Sequence, residues 1–260
     1  MPPTHEDPLG FYRATTGAHM ARSMMLQELT LLLSGTSEQA SRAAIQKAVV
    51  EDNLLGKPTA SSREKTFQHL RRAYGLETNT VLWRTLRQFA KREPRAMPLI
   101  ALVLVYSRDA QLRASFELVN TLKVGEELPR VRMEQCLEQA FPNKYSKAMK
   151  TSTAQNVNTT WTVTGHLEGH SHKHRARPRT HWLATTYAMF VGYLAGIRGQ
   201  VLLDSVYARL VGVDPLTAAD HLSSASAQGL IRFRNAGGVV ETDFSNLLQP
   251  ADQLLLHGAH

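Results

Sequence analysis

Basic side chains recur in this sequence at spacings that would gather them into lines. Lys144, Lys147 and Lys150 are three residues apart, the spacing of one helix face. Thr151, Ser152, Thr153 and Asn156 continue that stretch with short polar groups able to bond phosphates or base edges. In GHLEGHSHKHRARPRTH, Lys173, Arg175, Arg177 and Arg179 stand against the single carboxylate of Glu168, and the three arginines share a side if the backbone is extended. Arg232 and Arg234 alternate onto one face of a strand-like stretch. A further set, Arg63, Lys65, Arg71 and Arg72 with His69 beside them, occupies the polar side of an amphipathic helix. The chemistry common to these sets is the gripping of a polyanion, and arginine adds a planar fork that holds phosphate with two bonds. The other reading of the same charges is a solvated face.

Histidines 166, 170, 172 and 174 raise zinc as a ligand, since imidazole binds it. Their spacing matches no structural zinc pattern, with no CxxC or HExxH anywhere in the sequence. They read as part of a solvated basic loop whose charge rises as the imidazoles protonate below about pH 6.5. Cys136, the only cysteine, cannot form an internal disulfide and reads as core filler in a reducing compartment. There is no GxxxxGK[ST] and no GxSxG. The glycine pairs Gly196 with Gly199 and Gly237 with Gly238 lack the strand, turn and helix of a dinucleotide loop, and the carboxylates are scattered. The sequence therefore reads as non-enzymatic, with no metal and no cofactor.

Over 260 residues, 30 Lys and Arg face 22 Asp and Glu, a net charge of +8 that favours polyanionic partners. The start, MPPTHEDPLGFYRATTG, has neither the basic residues nor the apolar run of an export signal. Met97 to Tyr106 and Trp182 to Ile197 are apolar but fall short of the roughly 20 residues a membrane span needs, so they read as buried helices of a cytoplasmic protein.

Helix punctuation gives the elements that must carry these residues. A first helix is expected from Ala18 to Leu33, stopping at Ser34 and a left-handed Gly35. Thr36 to Gln39 has the pattern of a capping box opening a second helix that runs to about Leu55 and ends at Gly56 and Pro58. Ser61 to Glu64 repeats the pattern, followed by a stripe of Phe67, Leu70 and Tyr74. Leu82, Leu86 and Phe89 form one side of the next helix, with Arg84, Arg87, Lys91 and Arg92 mostly on others. The apolar MPLIALVLVY, then Asp109 to Lys123 (Leu112, Phe116, Val119) and Val131 to Phe141, complete a bundle. Composition shifts at Phe141 to Asn143. Later, Asp214 followed by Pro215 opens a helix to Gln228 and Gly229, and LIRFRNAGGVVETDF reads as a hairpin turning at Asn235 to Gly238. The expected organisation is a flexible start (1–17), a helical bundle (18–142), a basic α+β region (143–250) and a tail (251–260). A short helix followed by an Arg-bearing hairpin is the order of a winged helix, and equally of a small hairpin that closes a core.

The segment EDNLLGKPTASSREKTFQHLRRAYGL resembles the BrxA proteins of bacterial BREX phage-exclusion systems, in which an acidic residue and NLL precede a Lys, a Ser-rich cap and an apolar, basic helix. FPNKYSKAMKTSTAQNVNTTWTVTGHLEG, RARPRTHWLATTYAMFVGYLAG and LLDSVYARLVGV are similar to later parts of that family, so the resemblance covers about residues 10 to 248. It departs at the His-rich insertion from His166 to His174 and at the Gly56, Lys57, Pro58 turn. The resemblance implies a mainly α protein with a NusB-like bundle and a winged-helix-like carboxy-terminal part. It further implies DNA binding, and association with a system that methylates host DNA and blocks phage replication. The expectation is a non-catalytic component that holds duplex DNA by its phosphate backbone, with other BREX proteins as further partners. Two alternatives are an RNA-binding, antitermination-like factor and a scaffold that assembles a defence complex.

Overall fold

In the computed structural model, which describes residues 7–237 and 239–257, the chain is mainly helical. It runs through α1 (Leu26–Gly35), α2 (Arg42–Val50), α3 (Ala60–Tyr74), α4 (Val81–Ala90), α5 (Met97–Arg108), α6 (Ala110–Asn120), α7 (Arg130–Ala140) and α8 (Lys147–Val163). A two-residue pairing follows, β1 (Leu167–Glu168) with β2 (His174–Arg175), then α9 (Trp182–Leu194), α10 (Gln200–Leu203), α11 (Val206–Leu210) and α12 (Pro215–Ala227). The hairpin β3 (Arg232–Ala236) and β4 (Val239–Asp243) precedes α13 (Pro250–His257).

The two most apolar segments, α5 and α9, are buried almost throughout and pack on each other, because a helix apolar on every side has no face to offer water. α3, α4 and α6 cover α5, while α11 and α12 cover α9. Two buried aromatic side chains are tied inside by their polar atoms: Tyr187 Oη donates to the Leu82 carbonyl at 2.9 Å, and Trp161 Nε1 to Ser115 Oγ at 2.9 Å. One apolar core runs from Phe11 to Leu247, across the change of composition at residue 143. Side-chain caps start several helices: Thr59 with Ser62 in a reciprocal capping box on α3, Asp109 on α6, Ser146 on α8 and Asp214, followed by Pro215, on α12.

The expected helix from Ala18 to Leu33 is not continuous. A 3₁₀ turn at Ala18–Met20 gives way to backbone without regular secondary structure, Met25 takes a left-handed φ of 52°, and α1 begins only at Leu26. Distant side chains supply the bonds that a helix would have made. The His19 amide donates to Asp109 Oδ2 at 3.0 Å, the Met24 amide to Thr160 Oγ1 at 3.0 Å, and Tyr74 Oη to the Met24 carbonyl. Gly17 lies so close to Asp109 that an added Cβ would come within 2.1 Å of its carboxylate. Gly35 is not left-handed. It is the last residue of α1, and a Cβ there would meet Leu54 Cδ1 at 2.4 Å. Thr36 to Gln39 caps nothing. Thr36 Oγ1 donates back to the Leu32 carbonyl at 2.7 Å, and α2 starts under Ser41.

Arg84 and Arg87 are buried, contrary to the amphipathic reading of α4. Arg84 pairs with Asp252 of α13, and the Arg87 guanidinium donates to the Thr36 and Ser37 carbonyls after α1. Residues 7–17 pack over α4 and α5, with Phe11 buried and the Leu9 carbonyl accepting from the Leu82 amide at 3.0 Å; residues 1–6 of the expected flexible start lie outside the described residues. The stretch read as a tail contains α13, and residues 258–260 lie outside the described residues, as does Gly238 in the hairpin turn.

Candidate nucleic-acid interface

The lysine line does not form. Asn143 is left-handed, with φ of 57°, and α8 begins at Lys147, so Lys144 is off the helix. Lys144 Nζ donates to the Thr15 carbonyl and lies 4.8 Å above the Phe141 ring, where burial lowers its pKa. Lys150 pairs with Glu138 at 2.9 Å, and Thr151 Oγ1 donates to Glu134 at 3.0 Å. These bonds fasten α8 to α7, leaving Lys147 as the exposed, unpaired member.

The His- and Arg-rich segment is folded, not a solvated loop. β1 and β2 pair antiparallel, Glu127 bridges to His174, and the Gly125 and Leu128 amides donate to the Arg175 and Lys173 carbonyls at 2.8 and 2.7 Å. Arg175 parts from the other arginines: its guanidinium donates to the His166 carbonyl at 3.0 Å, and burial lowers its pKa. Lys173 Nζ donates to the Gly169 carbonyl at 2.6 Å. His166 is a core residue, with Nε2 donating to the Leu210 carbonyl at 3.0 Å and Nδ1 3.0 Å from Thr164 Oγ1; burial pushes its pKa down to about 3. His172 pairs instead with Glu127 at 2.9 Å. Among the described residues no group of three or more His, Cys, Asp and Glu converges on a metal-sized site.

Arg177 and Arg179 are exposed, and they line a cleft of about 500 Å³ with Arg95, a residue that no sequence pattern singles out. Arg95 is set there by the Glu93-capped 3₁₀ turn before α5, in which the Glu93 carboxylate accepts from the Arg95 amide at 2.9 Å. None of these three guanidiniums has an ion-pair partner among the described residues, and Glu168 is the one carboxylate in the cleft wall. Thr162 and Val163 of α8 belong both to this wall and to that of a second groove of about 620 Å³, which Arg130, Asn158, His170 and Lys173 also line.

The hairpin forms with Arg232 and Arg234 exposed on it, as its alternation predicts. Cross-strand register places Asp243 opposite Arg232, at 3.7 Å, and Glu241 opposite Arg234, so the face is mixed in sign. On α3, Arg63 turns back to the Val50 and Lys57 carbonyls at 3.4 and 3.3 Å, whereas Lys65, Arg71 and Arg72 are exposed. Arg22, another residue not singled out from sequence, joins this face: the pKa of His69 is lowered by burial and then by Arg22, Arg72 and Lys65. Cys136 is half-buried, and burial raises its pKa.

Among the described residues no helix is long and apolar enough to cross a membrane. The BrxA family model matches residues 16–112, within the wider stretch over which the sequence resembles that family. No curated protein matches the chain.

Proposed function

We propose that this protein, whose residues 16–112 match the BrxA family model, is a BREX-associated, non-catalytic component that holds duplex DNA by its phosphates. One observation carries the reading: Arg95, Arg177 and Arg179 converge unpaired on a single cleft although Arg177 and Arg179 lie 82 and 84 residues after Arg95. Clustering like charges is costly unless an anion is shared among them, and guanidinium groups suit phosphate oxygens in both geometry and charge. The α12 and hairpin unit, with Gly212 turning at φ of 74° before Asp214, has winged-helix order and is the secondary contact. Its weight is lower because Asp220, Glu241 and Asp243 sit beside its exposed positions. On this reading the protein works in the cytoplasm beside the DNA.

Fluorescence anisotropy with duplex DNA and with single-stranded RNA, repeated at rising salt, tests the reading. The triple variant Arg95→Gln, Arg177→Gln, Arg179→Gln is expected to weaken binding to all duplex sequences alike and to reduce the log–log salt slope by about 0.9 for each phosphate that is no longer neutralised. Unchanged affinity, with binding abolished instead by neutralising Lys65, Arg71 and Arg72, would move the interface to α3. Preference for RNA would favour the antitermination-like alternative.

A further inference from the structure

The groove beside the arginine cleft is built differently, and its difference lies in α8. KAMKTSTAQNVNTTWTV contains no Asp or Glu in 17 residues, and the groove of about 620 Å³ along its outer side has no carboxylate in its lining. Asn158 is in that lining, is 5 % exposed, and its Oδ1 has no hydrogen-bond partner. A buried carboxamide oxygen left without a donor is uncommon in folded proteins and calls for an explanation. Thr159 and Thr162 flank it with hydroxyls that donate to the Gln155 and Asn158 carbonyls, while Arg130 on α7, 3.3 Å from Glu134, and Lys173 on the turn between β1 and β2, which donates to the Gly169 carbonyl, stand at the groove as cations. Uncharged amide and hydroxyl groups inside with cations beside them match a nucleotide: base edge inward, phosphate outward.

We propose that this groove takes a single unstacked nucleotide, with the Asn158 carboxamide on the base edge and Arg130 and Lys173 on the phosphate. Asparagine pairs best with adenine, accepting from its exocyclic amine and donating to N7. A base inside a duplex cannot reach such a pocket, so the occupant is either an extrahelical base of a bound strand or a free nucleotide. The first source rests on the DNA reading above; the second does not.

Anisotropy with the full chain would compare a short fully paired duplex with the same duplex carrying one unpaired adenine, and thermal unfolding would be followed with excess AMP. The wild type is expected to bind the bulged duplex about tenfold more tightly. Asn158→Leu should erase that preference, leave affinity for the paired duplex unchanged and melt no lower, since it removes an unpaired buried acceptor. Asn158→Ala serves if the leucine is not accommodated. Equal binding of the two duplexes, with AMP raising the melting temperature of the wild type but not of the variant, would keep the site and make the free nucleotide its occupant. A bulge preference that survives in both variants, or the absence of both preference and AMP effect, would overturn the proposal. If neither duplex binds at low salt, the DNA reading fails and the AMP arm alone decides the groove.

Discussion

Asp252 accepts from the Gln249 amide at 2.6 Å and from the Arg84 guanidinium, and the two ionised side chains are 5 % and 10 % exposed. Removing one partner of such a pair strands the other charge, which costs more than the pair itself contributes. Asp252→Ala is therefore expected to destabilise the fold by about 3 kcal/mol or more, and Arg84→Met with Asp252→Leu to recover most of the loss. Urea titrations measure both; an unshifted midpoint for Asp252→Ala would show that Arg84 finds water. His166 makes a second prediction at this scale. The unfolded chain takes up a proton near the ordinary value of 6.5, while the folded chain refuses it until about 3. Each pH unit in that window should remove about 1.4 kcal/mol of stability as the medium acidifies, because the unfolded state binds the extra proton. The difference between wild type and His166→Gln isolates this contribution from that of the carboxylates: the variant should lose less stability between pH 6.5 and about 4. Parallel acid profiles would mean that His166 is reached by water.

The hairpin shows at the element scale how pairing changes the meaning of a charge. β3 places Arg232 and Arg234 on one face, yet β4 sets Asp243 and Glu241 opposite them, which lowers the positive potential a phosphate would meet. Glu241→Gln with Asp243→Asn is expected to tighten duplex binding and steepen its salt slope by about 0.9 for each further phosphate neutralised. Neutralising Arg232 and Arg234 should cost less affinity than neutralising Arg177 and Arg179. Anisotropy at several salt concentrations ranks them, and the opposite order would make the hairpin the principal contact. The same elements separate what is legible in the sequence from what is not. α5, α9, α12 and the hairpin are readable because apolar runs, an Asp-Pro start and period-two alternation are short-range signals. The break before α1 is not readable, since Asp109, Thr160 and Tyr74 hold the backbone from 90, 136 and 50 residues away. The lysine line fails for a related reason: Glu138 and Glu134 on α7 engage α8, and no pattern within α8 reveals them. Arg95 and Asn158 carry no local signal because their significance lies in neighbours brought from other elements.

Across the whole molecule, the part of the chain after residue 143 completes the core of the part before it. α9 lies on α5 and α4, Tyr187 bonds the Leu82 carbonyl, and Trp161 of α8 is fully buried with its indole nitrogen on Ser115. Without α8 and α9, the earlier helices would expose the apolar sides of α5 and α6 to water, at about 25 cal/mol for every Å² uncovered. The full chain is therefore expected to unfold in one cooperative transition whose calorimetric and van't Hoff enthalpies agree. A fragment ending at residue 142 should lack fixed tertiary packing, bind a hydrophobic dye and show weak near-ultraviolet dichroism. The arginine cleft shares this dependence, because Arg95 comes from before α5 and Arg177 and Arg179 from before α9. DNA binding should accordingly disappear at the temperature at which the single transition occurs, and the separate fragments 1–142 and 143–260 should bind with neither the affinity nor the salt slope of the intact chain. Two resolved calorimetric transitions, with duplex binding retained by the later fragment alone, would show instead that the carboxy-terminal region is an independent binding domain.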